Sequence, residues 1–122
     1  MRRLLIIFAL GAFVGSASAA DKQGRYLVVG DGAEGCSLWT DERKKSSPRS
    51  RALESWLLGY ITATNVWRPD TADVAGGLEA PALFEWTDNY CQEHPKSRIA
   101  EAARNLIYGL DELSAQNKKK RK

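Results

Sequence analysis

Few residues of this 122-residue chain have the types and spacing that chemistry needs. Cys36, Cys91 and His94 come first. Cys91-x-x-His94 is half of a zinc-ligand pattern, but only Cys36 can join it, so the set stops at three ligands and a disulfide would remove two of them. His94 is the only histidine, so a Ser–His or Cys–His site would have to use it. Its place beside Pro95 suits a helix-terminal imidazole favoured by the helix dipole instead. Glu79, Glu85 and Asp88 are close enough in sequence to form an acid–base pair, yet such pairs act through environment, and solvated helix faces account for these three. Gly30-x-Gly32 is not followed by a phosphate-binding helix signature and carries no nucleotide reading. The expectation is a non-enzymatic protein without metal or cofactor, in which Cys36 and Cys91 pair.

Compartment supports that pairing. Residues 1–20 combine basic Arg2 and Arg3, an apolar run from Leu4 to Val14 and small residues ending Ala17-Ser18-Ala19-Ala20, the three parts of a secretory signal peptide. The apolar run is too short to span a bilayer. Cleavage after Ala19 and after Ala20 fit equally well. A soluble periplasmic chain is expected, in a compartment where disulfides persist.

Charge is unevenly distributed. Beyond residue 20, sixteen of the eighteen Lys and Arg face all fifteen Asp and Glu, a net charge of +1. Five of the sixteen are Lys118, Lys119, Lys120, Arg121 and Lys122, so residues 21–117 carry −4. Nucleic acid is therefore not the expected partner, because its binding face needs basic residues spread over a folded surface. The segment 118–122 reads as a basic disordered tail, solvated or in weak contact with an anionic surface.

The elements follow from periodicity. Residues 21–35 form a Gly-rich N-terminal arm with at most one short strand around Tyr26-Leu27-Val28-Val29. Residues 36–117 form the helical domain. A short helix after Cys36 stops before Ser46-Ser47-Pro48, where a hydroxyl cap and a proline start the second. Leu53, Trp56, Leu57, Tyr60, Ile61 and Thr64 share one face of that helix. The small residues Ala52, Ser55, Gly59 and Ala63 lie beside it and suggest close approach of a neighbouring backbone. Residues 65–77 read as a loop. A third helix begins near Pro81, places Leu83, Trp86, Thr87, Tyr90 and Cys91 on one face, and ends at His94-Pro95. Ser97 then caps a fourth helix carrying Ile99, Ala102, Ala103, Leu106, Leu110 and Leu113 until Asn117. The fold class is all-α, a small single domain of about four helices with one disulfide and minimal strand.

Four tryptophans are many for this length. Trp56 and Trp86 lie on core faces, and Trp67, outside any helical face, is expected to pack across the top of the core, with exposure for a partner as the alternative. Trp67, Tyr60 and Trp86 are the candidate partner-binding residues.

Gly59-Tyr60-x-x-Ala63-x-Asn65, Asp73-Val74-x-Gly76 and the two bracketing cysteines resemble the HdeA/HdeB type of small periplasmic acid-stress protein. The resemblance implies a disulfide-tied helical fold and a non-enzymatic chaperone, active at low pH on unfolded periplasmic clients. The Cys36 to Gly59 interval is longer than in that pattern, and the basic tail is placed differently. Neutralising all fifteen carboxylates would raise the charge to +16, and His94 with the amino terminus to +18, a self-repulsion able to loosen a small core. Gly59-Tyr60-Ile61 and the segment Tyr90 to Leu110, with Pro95, Ala102-Ala103 and Leu106, are also similar to Tai-type immunity proteins. That resemblance implies tight binding of one protein partner, a cell-wall amidase, at neutral pH. An envelope-associated structural protein is the third reading.

Overall fold

The computed structural model describes residues 20–122, so the signal segment read over residues 1–20 lies outside the described residues except for Ala20. A single 3₁₀ turn over Gly30–Ala33 is followed by helices α1 (Cys36–Lys45), α2 (Pro48–Trp67), α3 (Ala80–Glu93) and α4 (Ile99–Lys120). Among the described residues the sole β feature is an isolated antiparallel bridge between Gly35 and Arg98. The all-α domain read from the periodicity is the one that forms.

Local chemistry sets the helix ends. The Ser47 hydroxyl accepts the Ser50 amide at 3.0 Å, and Pro48 occupies the first helical position of α2. At the end of α3, His94 leaves helical geometry ahead of Pro95. The Glu101 carboxylate accepts the Arg98 amide at 2.8 Å at the start of α4. Ser97, read as the cap of this helix, is not: Arg98 is. The Ser97 carbonyl accepts the Cys36 amide at 2.8 Å and the Ile99 amide donates to the Glu34 carbonyl at 2.9 Å. This backbone pairing holds Ser97 and Arg98 out of the helix.

The same place carries the disulfide. Cys36 at the first position of α1 and Cys91 near the end of α3 are bonded, 55 residues apart in sequence, both essentially inaccessible to solvent. Closing a loop of that length removes about 4 kcal/mol of unfolded-chain entropy. Beneath it pack Trp39 of α1, Leu53, Leu57 and Ile61 of α2, Leu83 and Thr87 of α3, and Ile99, Ala102, Ala103, Leu106 and Leu110 of α4. Val74 and Ala75 of the α2–α3 loop complete the core, held there by the Val74 amide donating to Asn65 Oδ1 at 2.8 Å.

Several expectations are corrected. The small strip Ala52, Ser55, Gly59 and Ala63 faces solvent, and a Cβ placed on Gly59 would meet nothing within 4 Å. α2 packs through its other face, and among the described residues no element crosses this one. Trp56 and Trp86 do pack half-buried against the core, on the faces expected for them, and the wholly buried tryptophan is Trp39. The arm is ordered by Trp56, whose Nε1 donates to the Val29 carbonyl at 2.8 Å while its ring fills the space above Gly32. The tail does not begin as disordered chain at Lys118, because α4 continues to Lys120. Alanine, glutamine and lysine favour helix, and lysines at the last turn complement the dipole.

A Cβ at Gly32 would lie 2.0 Å from Trp56 Cζ2. Gly32→Ala is expected to destabilise the protein by about 1–3 kcal/mol through overpacking, whereas Gly59→Ala should stabilise it by up to about 1 kcal/mol through helix propensity. Denaturant midpoints of the two variants check both signs.

Candidate partner-binding surfaces

Partner-binding surfaces must be separated from the polar groups that hold the helices together. Arg43 belongs to the second kind. Its guanidinium donates to Asp88 through Nε to Oδ1 at 2.9 Å and Nη2 to Oδ2 at 2.8 Å, and its Nη1 reaches Glu54 Oε1 at 2.7 Å. One arginine of α1 thus grips α3 and α2 together. The rings of Trp39 and Phe84 flank it, with Arg43 Cζ 5.9 and 5.3 Å from their centroids. The same Asp88 Oδ1 accepts the indole Nε1 of the wholly buried Trp39 at 2.8 Å. Bonding to Asp88, with Glu54 adding to it, raises the Arg43 pKa above its ordinary value, so this cation is permanent. Asp88 is therefore a structural hub. Glu79 and Glu85, the other carboxylates of the sequence cluster, are exposed.

His94 is exposed and lies against Tyr90, ring centroids 4.5 Å apart. Among the described residues no three His, Cys, Asp or Glu side chains are gathered in a way that could hold a metal ion.

The first candidate surface surrounds Tyr60. This residue is half-buried, packs on Trp56 with centroids 5.7 Å apart, and has its hydroxyl pKa raised mainly by burial. Tyr26, Arg104 and Tyr108 are the charged or titratable neighbours that also act on it. Arg104 lies over the Tyr26 ring at 5.7 Å. Next to Tyr26 the arm exposes Leu27 (88%) and Val29 (75%), and among the described residues the amides of Tyr26, Leu27, Val28 and Val29 have no hydrogen-bond partner. Tyrosine, arginine and apolar side chains beside open backbone donors make a surface suited to protein association. Composition alone did not reveal it. The sequence reads as a Gly-rich arm, and the bond from Trp56 to Val29 fixes its position.

Trp86 occupies a second place. It stacks on Tyr90 at a centroid distance of 5.5 Å and borders a shallow groove of about 320 Å³ between α3 and α4, lined in part by Leu78, Ala82, Gly109 and Leu113. Trp67 occupies a third. It is the last residue of α2 rather than part of a loop, and it is 84% exposed. The packing expected for its ring across the top of the core does not occur, because the ring stands at the end of α2 in solvent. The next residue, Arg68, turns inward to Asp111 of α4 at 2.8 Å and also pairs with Asp70. Arg68 holds the Asp70 carboxyl down at about 2. Tyr60, Trp86 and Trp67 therefore have different immediate neighbours, Trp56, Tyr90 and Arg68 respectively, while the groove beside Trp86 and the one beside Arg68 share Leu78 and Leu113.

The residues of the motif from Asn65 to Gly76 have structural work. Asn65 pins Val74, and the Asp73 carboxylate accepts the amides of Ala75 and Gly77 at 3.0 and 2.7 Å. Comparison with protein-family models, curated proteins and solved structures gives no match.

Asp88→Ala is expected to destabilise the fold by about 2 kcal/mol, the range for hydrogen bonds to charged groups reduced for partial exposure. In a double-mutant cycle the Arg43→Ala and Asp88→Ala effects should be less than additive, because both remove the Arg43–Asp88 bonds while Arg43 keeps its Glu54 partner when Asp88 is lost. Denaturation of the two single variants and the double variant measures the coupling.

Proposed function

We propose that the chain is an exported, non-enzymatic protein-binding protein whose leading activity is that of an HdeA/HdeB-like acid-stress chaperone. The observation that carries the reading is the convergence of buried Trp39 and cationic Arg43 on the single carboxylate of Asp88. That carboxylate is the joint between α1 and α3, and without it Arg43 keeps only Glu54 of α2 as a carboxylate partner. Other ties between elements depend on carboxylates in the same way: Arg49 with Asp31 and Glu34 joins the arm to α2, and Arg68 with Asp111 joins α2 to α4. The disulfide and the backbone bridge do not titrate in this range. Acid would free helix faces while the Cys36 to Cys91 closure keeps the chain compact.

The direction of the pH effect follows from the lowered carboxyls. Hydrogen bonds hold Asp21, Glu42 and Asp70 below their ordinary values, chiefly from the Arg25 amide, the Ser47 hydroxyl and the Arg68 guanidinium respectively. A group with a depressed folded-state pKa stabilises the fold above its unfolded pKa and loses that contribution as pH falls through the folded value. The window therefore opens below the ordinary carboxyl range near pH 4 and extends to about 2, the value of Asp70. At neutral pH the fold should remain closed.

The expected outcome is constant near-ultraviolet circular dichroism from pH 7 to about 4.5, then rising apolar-dye binding and suppression of client aggregation between about 4 and 2. A protein that loosens over that interval without protecting acid-unfolded clients overturns the chaperone activity. One that retains its neutral fold at pH 2 removes the mechanism as well.

A second reading, Tai-type inhibition of a cell-wall amidase, is favoured by the Tyr26, Tyr60, Tyr108 and Arg104 surface, which is available without acid. Affinity capture from periplasmic extract at pH 7 separates the two. A stoichiometric amidase lost on Leu27→Asp supports immunity, and none supports the acid-dependent reading.

A further inference from the structure

We propose that the end of the molecule where α2 terminates and the last turns of α4 project is a docking face for an anionic phospholipid bilayer, with Val66 and Trp67 entering the headgroup layer and Lys118, Lys119, Lys120 and Arg121 lying over the phosphates. The inference is independent of client or amidase binding and concerns where the protein resides. Val66 and Trp67 are 71% and 84% exposed at the close of α2, and among the described residues neither joins the apolar core. Arg68 anchors that helix end to Asp111 at 2.8 Å. From Asp111, α4 continues to Lys120, a rise of about 13 Å. The loop after Trp67 and the basic turns of α4 then border one groove of about 630 Å³, whose lining includes Arg68, Asp70, Leu113, Lys118 and Arg121.

Charge complementarity selects the occupant. Residues 118–122 are five consecutive cations, and the helical form of Lys118 to Lys120 presents them at one terminus together with the helix end. Nearby carboxylates are largely engaged within the fold. Asp70 and Asp111 pair with Arg68, Asp73 accepts the amides of its own turn, and Glu112 is left exposed. A soluble acidic partner would use the cations alone. A bilayer uses both halves of the face, because tryptophan partitions to the headgroup region while each nearby Lys or Arg raises binding to an anionic leaflet by about fivefold.

Co-sedimentation of the processed chain with phosphatidylcholine vesicles, with and without phosphatidylglycerol, tests the proposal. Binding is expected only to the anionic vesicles and should weaken with salt. It should fall more than about tenfold in K118Q/K119Q/K120Q and severalfold in Trp67→Ala. The blue shift of tryptophan emission on binding should diminish in Trp67→Phe. Both sites are exposed, and unchanged circular dichroism of each variant verifies folding. Equal binding to uncharged vesicles, no binding, or variants that bind like the parent overturns the proposal. Binding to polyglutamate that matches the vesicles and ignores Trp67→Ala also overturns it, assigning the cations to soluble polyanions.

Discussion

The closure of α1 onto the α3–α4 junction is the constraint on which the other packing depends. Cys36 is bonded to Cys91, and the adjoining backbone is bonded to the segment just before α4 through the Cys36 amide and the Glu34 carbonyl. Covalent and backbone ties at one point fix the start of α1, the end of α3 and the entry to α4 together. A helix anchored at its first residue has little freedom in where its fourth residue points, so Trp39 reaches the centre of the core. A domain of this size has limited apolar area to bury, which makes such a tie energetically important.

Around that fixed point the remaining ties are electrostatic. Arg43 joins α1 to both α2 and α3, Arg49 joins α2 to the arm, and Arg68 joins α2 to α4. The protein thus combines one covalent, pH-insensitive constraint with several that require ionised carboxylates. That division gives the proposed acid response its physical basis: the connections that set relative helix position can weaken while the chain stays closed. It also separates the surfaces. The Tyr26 and Tyr108 region depends on the arm and its seat on Trp56, whereas the Trp67 end depends on the Arg68 pair.

Much of the helical architecture was legible from residue type and period. The face from Leu53 to Ile61, the inward place of Cys91, the Ser47-Pro48 start and the His94-Pro95 stop are local properties, set by side-chain spacing within one helix or by backbone restriction at one bond. The disulfide was legible because only two thiols exist. The contacts of Arg43 with Asp88 were not, since the residues are 45 positions apart and nothing in either neighbourhood marks the other. Asp88 appeared instead within a cluster of helix carboxylates. Gly59 was misread for the converse reason: a strip of small side chains permits close approach, but whether a neighbour uses it is decided elsewhere.

Which segments are helical, where most of them begin and end, and which faces are apolar follow from local propensity and a period of 3.6 residues, and so are written in the sequence. Which residues cover which faces is settled by packing between elements. It buried Trp39 wholly and Trp56 only in part, turned the Gly-rich arm into the seat of Trp56, left the Gly59 strip open, and gave Tyr60, Trp86 and Trp67 different neighbours. The physical reason is that burial is a property of pairs. A helix can specify the face it needs to hide, but the element that hides it arrives through contacts distant in sequence, here directed by the Cys36 to Cys91 closure.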